Sequence, residues 1–400
     1  MWRDQEKSDR GAVGSGSELT FHLPMTHELN RSEDGEGRPE PKFDPAIRVL
    51  ETAIAQRAFP GCAFGVLAGG RVVLSAALGR FTYEDCSPVV APGTVFDVAS
   101  VTKVVATTAM AMLLYQRGQL DIDMPLGDLL PGFVVGRPAG DRSRQVTLRH
   151  LLAHSSGLAG YVQFFKSVPS PAKLFRACLE LPLEAEPGTR AEYSDPGFIL
   201  LGKALEVLTG ESLAKWSRRE IFGPLGMTAT RFRPPPHHRP LIPPTEEDTT
   251  WRHRVIQGQV QDENAAVLHG VAGQAGLFSN VPDLLRLAAE ILRAESGLDA
   301  AEAGTPLFNR ATLEMFSARQ APEGSSRALG WDTPSEKSTA GRHFSTHSIG
   351  HLGFSGCSLW IDLANHIAVV LLTNRTWPDR SNRLIREVWP VFHDAIREAL

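Results

Sequence analysis

Three times this chain places a lysine three positions after a serine: Ser100–Lys103 in "FDVASVTKVV", Ser170–Lys173 in "SPAK" and Ser212–Lys215 in "SLAK". On a helix that spacing puts hydroxyl and amine on one face, one turn apart. A serine nucleophile beside its base would use this arrangement, but so would any two residues sharing a helix surface. Surroundings separate the copies. Ser170 precedes Pro171 in a loop-like stretch where no helix is expected to have begun. Lys215 falls on an amphipathic surface helix and is expected to be solvated. Ser100 opens a strongly apolar run, where a helix N-terminus offers partial positive charge and free N–H groups. Those groups can also hold an oxyanion. Lys103, inside "VTKVVATTAM", is expected to be desolvated, which lowers its pKa and lets it act as a base.

Two further stretches add chemistry. Tyr193 in "EYSDPGFILLG" is one of only four tyrosines. Alone it reads as a packing or capping residue. Beside Ser100 and Lys103, with an ammonium lowering its pKa, it could take the serine's proton. "GHLGFSGCSLWIDL" from Gly350 is a glycine-rich entry into a strand; such entries serve tight packing or bring an edge backbone to a substrate. His154 is expected to be a structural hydrogen-bonder at a helix end. Asp262, Glu263 and Asn264 have no second ligand set beside them, so the cluster reads as a loop anchor rather than a metal site. Neither the full phosphate-binding G-x-x-x-x-G-K-[ST] nor a zinc-protease H-E-x-x-H occurs.

The elements that must position these groups follow from periodicity. "AFGVLAGGRVVLSAALG" reads as a hairpin turning at Gly69-Gly70, and "CSLWIDLANHIAVVLLTN" as a second pair turning at Ala364-Asn365. A helix is expected from Asp44 as N-cap, with Pro45 at its first position, and another at the C-terminus, bent at Pro390. Between the ends, "VVATTAMAMLLYQRG", "FILLGKALEVLTG", "LAKWSRREIF" and "PDLLRLAAEILRAE" read as helices. The expectation is an α/β (α+β) fold with an antiparallel sheet built from both chain ends. Residues 43–100 and 318–400 would form the sheet domain, residues 101–317 a mainly helical one, and residues 1–42 a disordered polar tail.

Composition narrows the function. The net charge of −4, with 22% charged residues and no basic run, gives no reason to expect nucleic acid. Four scattered cysteines build neither a disulfide framework nor a zinc site, so neither metal nor cofactor is expected. No stretch approaches the length of a membrane span. The N-terminus has no apolar signal core, which points to a cytoplasmic protein.

Together S-V-T-K, Y-S-D and H-L-G, in this order, resemble the serine hydrolases of the β-lactamase-related family. That family comprises class C β-lactamases, D-alanyl-D-alanine carboxypeptidases and esterases of the same fold. "LRHLLAHSSGL", "GPLGMTATRF", "QDENAAVLHGVAGQAGLFS", "LGWD" and "GHLGFSG" also look like family signatures, and the resemblance runs from about residue 44 to 380. It implies a β-lactamase/transpeptidase-like fold, Ser100 as acylated nucleophile, Lys103 as its activating partner and Tyr193 as second base. The backbone N–H groups of Ser100 and Phe354, beside Gly353, would form the oxyanion hole.

Two departures bear on the substrate. Asp195 fills the third position of a motif that relatives write Tyr-x-Asn. His351 and Leu352 stand where relatives have the lysine and hydroxyl of K-T-G, so the groups suited to a substrate carboxylate are missing. This favours a small neutral ester, or an amide without that group, over a β-lactam or D-Ala-D-Ala peptide. From another class, the rival is a non-catalytic protein that binds a ligand in the same pocket.

Overall fold

In the computed structural model, residues 40–168, 170–296, 306–336 and 338–400 are described. The tail expected over residues 1–42 falls, up to residue 39, outside them. The central sheet has strands β1 (Gly61–Ala68), β2 (Arg71–Gly79), β3 (Ser348–Leu352), β4 (Ser358–Asp362) and β5 (Ile367–Thr373) in the order β2-β1-β5-β4-β3. All neighbours are antiparallel, with Phe64 opposite Leu371 and His351 opposite Leu359. The sheet is therefore assembled from both ends of the chain. β1 turns into β2 through Gly69 and Gly70 alone, at φ 58° and 77°, a conformation that costs glycine little and suits a two-residue hairpin.

Alternation along β1 divides two cores. Cys62, Phe64 and Val66 face one way, with Trp360, Val369 and Leu371. Against them pack helix α1 (Asp44–Ala55) and the terminal helix α5 (Ile385–Glu398), whose Phe392 meets Phe64 edge-on at 5.8 Å. Burying such a side chain stabilises by about 1.5–3 kcal/mol. Ala63 and Leu67 face the larger core, shared with α2 (Ala109–Gln116), α3 (Asp195–Thr209) and α4 (Val281–Ser296). The site lies at the boundary of this second core and edge strand β3.

The terminal helix runs through Pro390. Two local expectations need correction. A 3₁₀ turn at Pro41–Phe43 leads into α1, so Asp44 is its first residue and not its cap. "SPAK" does open a helix: Ser170 caps Pro171–Glu180, its Oγ accepting from the Lys173 amide at 3.4 Å. A capping serine followed by proline is a strong start signal, which outweighs the loop-like composition before it.

Candidate active site

Ser100 follows a sharp turn held by one buried carboxylate. Asp97 Oδ1 accepts from the Ala99 amide (2.9 Å) and Oδ2 from the Gln261 amide (2.7 Å), and Ala99 adopts φ 46°. Positive φ at an alanine is uncommon and is kept only where neighbours enforce it. Burial raises the Asp97 carboxyl to about 6, against the opposing pull of those amides. Sequence reasoning missed Asp97, since nothing near it marks an aspartate as a hub. The chain then winds as a 3₁₀ turn (Ala99–Val101) and a π-helical stretch (Lys103–Thr108) before α2 begins. Wide turns of this kind are frequent at functional sites.

The three serine–lysine pairs now separate on geometry. Ser170 and Ser212 cap their helices through the amides of Lys173 and Lys215, and the Lys215 ammonium pairs outward with Glu211. Only at Ser100 does the side chain meet its lysine: Lys103 Nζ stands 2.9 Å from Ser100 Oγ. The same nitrogen donates to Asp195 Oδ1 at 2.7 Å and to the Gln274 carbonyl at 3.0 Å. It is fully buried. An ammonium has three protons for these three partners. Burial pushes the Lys103 pKa down, but the Asp195 carboxylate and Tyr193 beside it leave it above its ordinary value. Lys103 is thus an ammonium at neutral pH, not the neutral base expected from its apolar surroundings.

Tyr193 and Asp195 arrive together because Ser194 caps α3, its Oγ accepting from the Gly197 amide at 3.1 Å and donating to the Ala159 carbonyl at 2.7 Å. The Tyr193 ring lies 4.7 Å from Lys103 Nζ and 4.6 Å from the His154 ring. Lys103 and Ser100 act to lower the Tyr193 pKa, yet burial outweighs them and raises it. The ammonium therefore does not make a tyrosinate of it. His154 has the structural role expected: Nδ1 accepts from the Ser194 amide at 2.9 Å.

Glycine-rich segments close the site from two sides. A Cβ on Gly273 would fall 2.0 Å from the Phe198 carbonyl, so only glycine lets that loop bring Gln274 onto Lys103. A Cβ on Gly353 would stand 2.4 Å from the Val98 carbonyl. The Gly353 amide is already given to Cys357 O at 2.7 Å, so this residue supplies close approach rather than an oxyanion donor. Its turn is pinned where Ser355 Oγ donates to the Asp97 carbonyl (2.7 Å) and Arg375 Nε to the Phe354 carbonyl (2.7 Å). Phe354 itself is exposed, beneath the Arg375 guanidinium at 4.3 Å. His351 is buried; its Nδ1 hydrogen-bonds the Leu352 carbonyl at 2.7 Å, and burial, with Lys103 and Arg327 nearby, holds it neutral.

The Asp262 cluster anchors loops, as read from its sequence. Asp262 Oδ1 caps the short helix at Glu263–Val267 through Ala265 N (2.6 Å), Glu263 pairs with Arg380 at 2.7 Å, and Asn264 holds the Phe165 amide at 3.1 Å. Burial and the nearby Asp195 charge raise the Asp262 carboxyl to about 7. Its proton is bound more tightly in the folded than in the unfolded chain, so the associated stability is fully present below about pH 4, where the unfolded carboxyl is also protonated, and is lost as pH rises to about 7. Asp262→Asn is therefore expected to raise Tm at pH 8 and change it little at about pH 3.5, measured by calorimetry at both pH values.

The family description "Beta-lactamase" matches residues 46–389. The chain is 32% identical over 368 residues to an N-acetylmuramyl-L-alanine amidase of Bacillus subtilis, covering 84% of this chain and 81% of that protein. Among solved structures it is similar to EstCE1, a hydrolase with promiscuous acyltransferase activity (TM-score 0.71, 22% identity, 89% of this chain and 98% of that one). A penicillin-binding protein homologue from Caulobacter crescentus is equally similar in fold (TM-score 0.71, 18% identity, 91% and 99%). This chain belongs to the β-lactamase family of serine hydrolases. It is an enzyme of that class, with the β-lactamase/transpeptidase fold. Among the described residues, no helix is long and apolar enough to cross a membrane.

Proposed function

We propose that the protein hydrolyses small carboxylic esters through an acyl-enzyme on Ser100. Supporting this reading is the contact of Ser100 Oγ with a buried lysine at 2.9 Å, in the one serine–lysine pair of three that meets side chain to side chain. Ser100 Oγ attacks the acyl carbon. Its proton passes to the Tyr193 oxygen while the Tyr193 proton goes to the leaving oxygen, so Tyr193 stays neutral throughout. Lys103 remains an ammonium, orienting Ser100 and offsetting negative charge on its oxygen. The amides of Ser100 and Phe354 receive the carbonyl oxygen. Of the amides around Ser100, those of Ala99 and Val101 are committed to Asp97 Oδ1 and Val98 O. Water then enters where the alcohol left, and the proton returns to Ser100 by the same route.

Ester over β-lactam is favoured because a neutral His351 and an apolar Leu352 occupy the K-T-G position. The test is turnover of p-nitrophenyl acetate, p-nitrophenyl butyrate and nitrocefin, with the intact mass followed alongside. Ester hydrolysis with nitrocefin untouched is expected. Rapid nitrocefin hydrolysis would replace the ester reading by a β-lactamase one, and neither turnover nor adduct would leave a ligand-binding protein.

A further inference from the structure

A cleft of about 390 Å³ lies against the segment that holds Lys103, walled by α3, by the helix Pro171–Glu180 and by residues 268–273. That volume is within the range of small-molecule sites. None of Ser100, Lys103 or Tyr193 lines it. Its floor is apolar, built from Phe175, Ile199, Leu213, Leu268 and Val271. Its charges are unequally committed. Glu206 Oε1 accepts from the Leu213 amide at 2.9 Å and Oε2 from Lys203 Nζ at 3.1 Å, so that acid and that lysine offset one another. Arg233 is exposed, and among the described residues its guanidinium has neither a hydrogen bond nor an ion pair. The charge left over in this cleft is therefore positive, beside an apolar floor.

The backbone here is strained. Arg233 and His269 both line the cleft and both hold positive φ, 50° and 59°, where residues other than glycine are uncommon. Gly270, at φ 76°, packs on Arg233: a Cβ there would fall 3.2 Å from Arg233 Cγ. Strain of this kind collects at ligand clamps and persists only where neighbours enforce it.

The same wall reaches the catalytic lysine. A Cβ on Gly202 of α3 would stand 2.8 Å from the Gly273 Cα, so helix and loop touch backbone to backbone. The Gly273 carbonyl accepts from Thr107 Oγ1 at 2.8 Å, and the next carbonyl, that of Gln274, accepts from Lys103 at 3.0 Å. α3 itself begins with Asp195, a further acceptor of Lys103. A molecule in the cleft touches both elements that set the position of that ammonium.

We infer that this cleft is a second ligand site, taking a monocarboxylate with an apolar chain, as in a medium-chain fatty acid. The carboxylate pairs with Arg233 and the chain covers the floor. Seated on Gly273, the ligand bears on how Gln274 holds Lys103, so kcat responds and KM for the ester does not. The site goes beyond the ester reading, and only the kinetic part of its test uses ester turnover.

Calorimetric titration of the full chain with sodium octanoate and with octanamide tests it. Native protein should bind octanoate the more tightly. Arg233→Gln should weaken octanoate roughly threefold to tenfold, between the values for exposed and sheltered charged pairs. It should leave octanamide within about twofold, and Arg233→Lys should keep part of the octanoate affinity. Ala172→Trp, at an exposed position on the cleft wall, should block both compounds. With p-nitrophenyl butyrate, saturating octanoate should change kcat by about twofold or more at constant KM. Absence of octanoate binding, equal affinity for the two compounds, or indifference to Arg233→Gln and Ala172→Trp would overturn the site. Competitive inhibition that survives Ala172→Trp would put octanoate at Ser100 and overturn it too. Binding with kcat unmoved would keep the ligand site and overturn its link to Lys103. A native protein that turns over no ester would sink the ester reading, while the titrations still decide the cleft.

Discussion

Ser100→Ala will remove turnover by on the order of 10⁴-fold or more, the scale seen when a serine nucleophile is deleted, and will remove every acyl adduct from the intact mass. Fluorophosphonate labelling should vanish with it. Among the three hydrogen-bond acceptors of Lys103, Ser100 Oγ is a hydroxyl that can also donate, while Asp195 and the Gln274 carbonyl only accept. Deleting it leaves the buried ammonium with two good acceptors, so folding should be affected by only about 0.5 kcal/mol. Loss of activity with an unchanged melting curve separates a chemical role from a structural one. A variant that kept full turnover would remove Ser100 from the mechanism.

Lys103→Met should be the most damaging change to both activity and stability. It leaves Asp195, whose side chain is 16% exposed, facing the site without its cation. Breaking a buried pair in this way costs about 3–5 kcal/mol, and the residual exposure places this case near 3. Adding Asp195→Asn to that variant should recover much of the lost stability and none of the activity, because the stranded charge goes but the ammonium does not return. Denaturant unfolding of the two single variants and the double closes the cycle. If the double variant is no more stable than Lys103→Met, the ion pair is not what holds this region. Asp195→Asn alone should lower the Lys103 pKa and bring the basic limb of the rate profile down with it. In the native protein both Lys103 and Tyr193 are shifted above their ordinary values of 10.5 and 10.0. The protonated forms that work should therefore persist, and the rate should hold through neutral pH into the alkaline range.

Much of this was legible in the chain. Two apolar runs joined at the Gly69-Gly70 turn predicted the hairpin, and S-V-T-K, Y-S-D and H-L-G named residues that the fold brings within a few ångströms of one another. Such signals are local: spacing along a helix, a capping serine before Asp195, a glycine where backbones touch. They determine which groups can be presented and from which element.

The protonation state was decided elsewhere. A lysine in an apolar run looks like a neutral base, but Asp195 arrives from 92 positions away and keeps it charged. Asp97 joins the Ser100 turn to residues 164 and 258 positions distant, and Arg327 reaches Tyr193 from a loop beside another strand. Charge interactions depend on separation in space and on how much water lies between, and neither quantity has a period along a sequence. The sequence by itself singled out Ser100 as the candidate nucleophile among three serine–lysine pairs and put it at a helix start. The tertiary structure decided which of its neighbours hold protons, because only packing brings those charges together out of water.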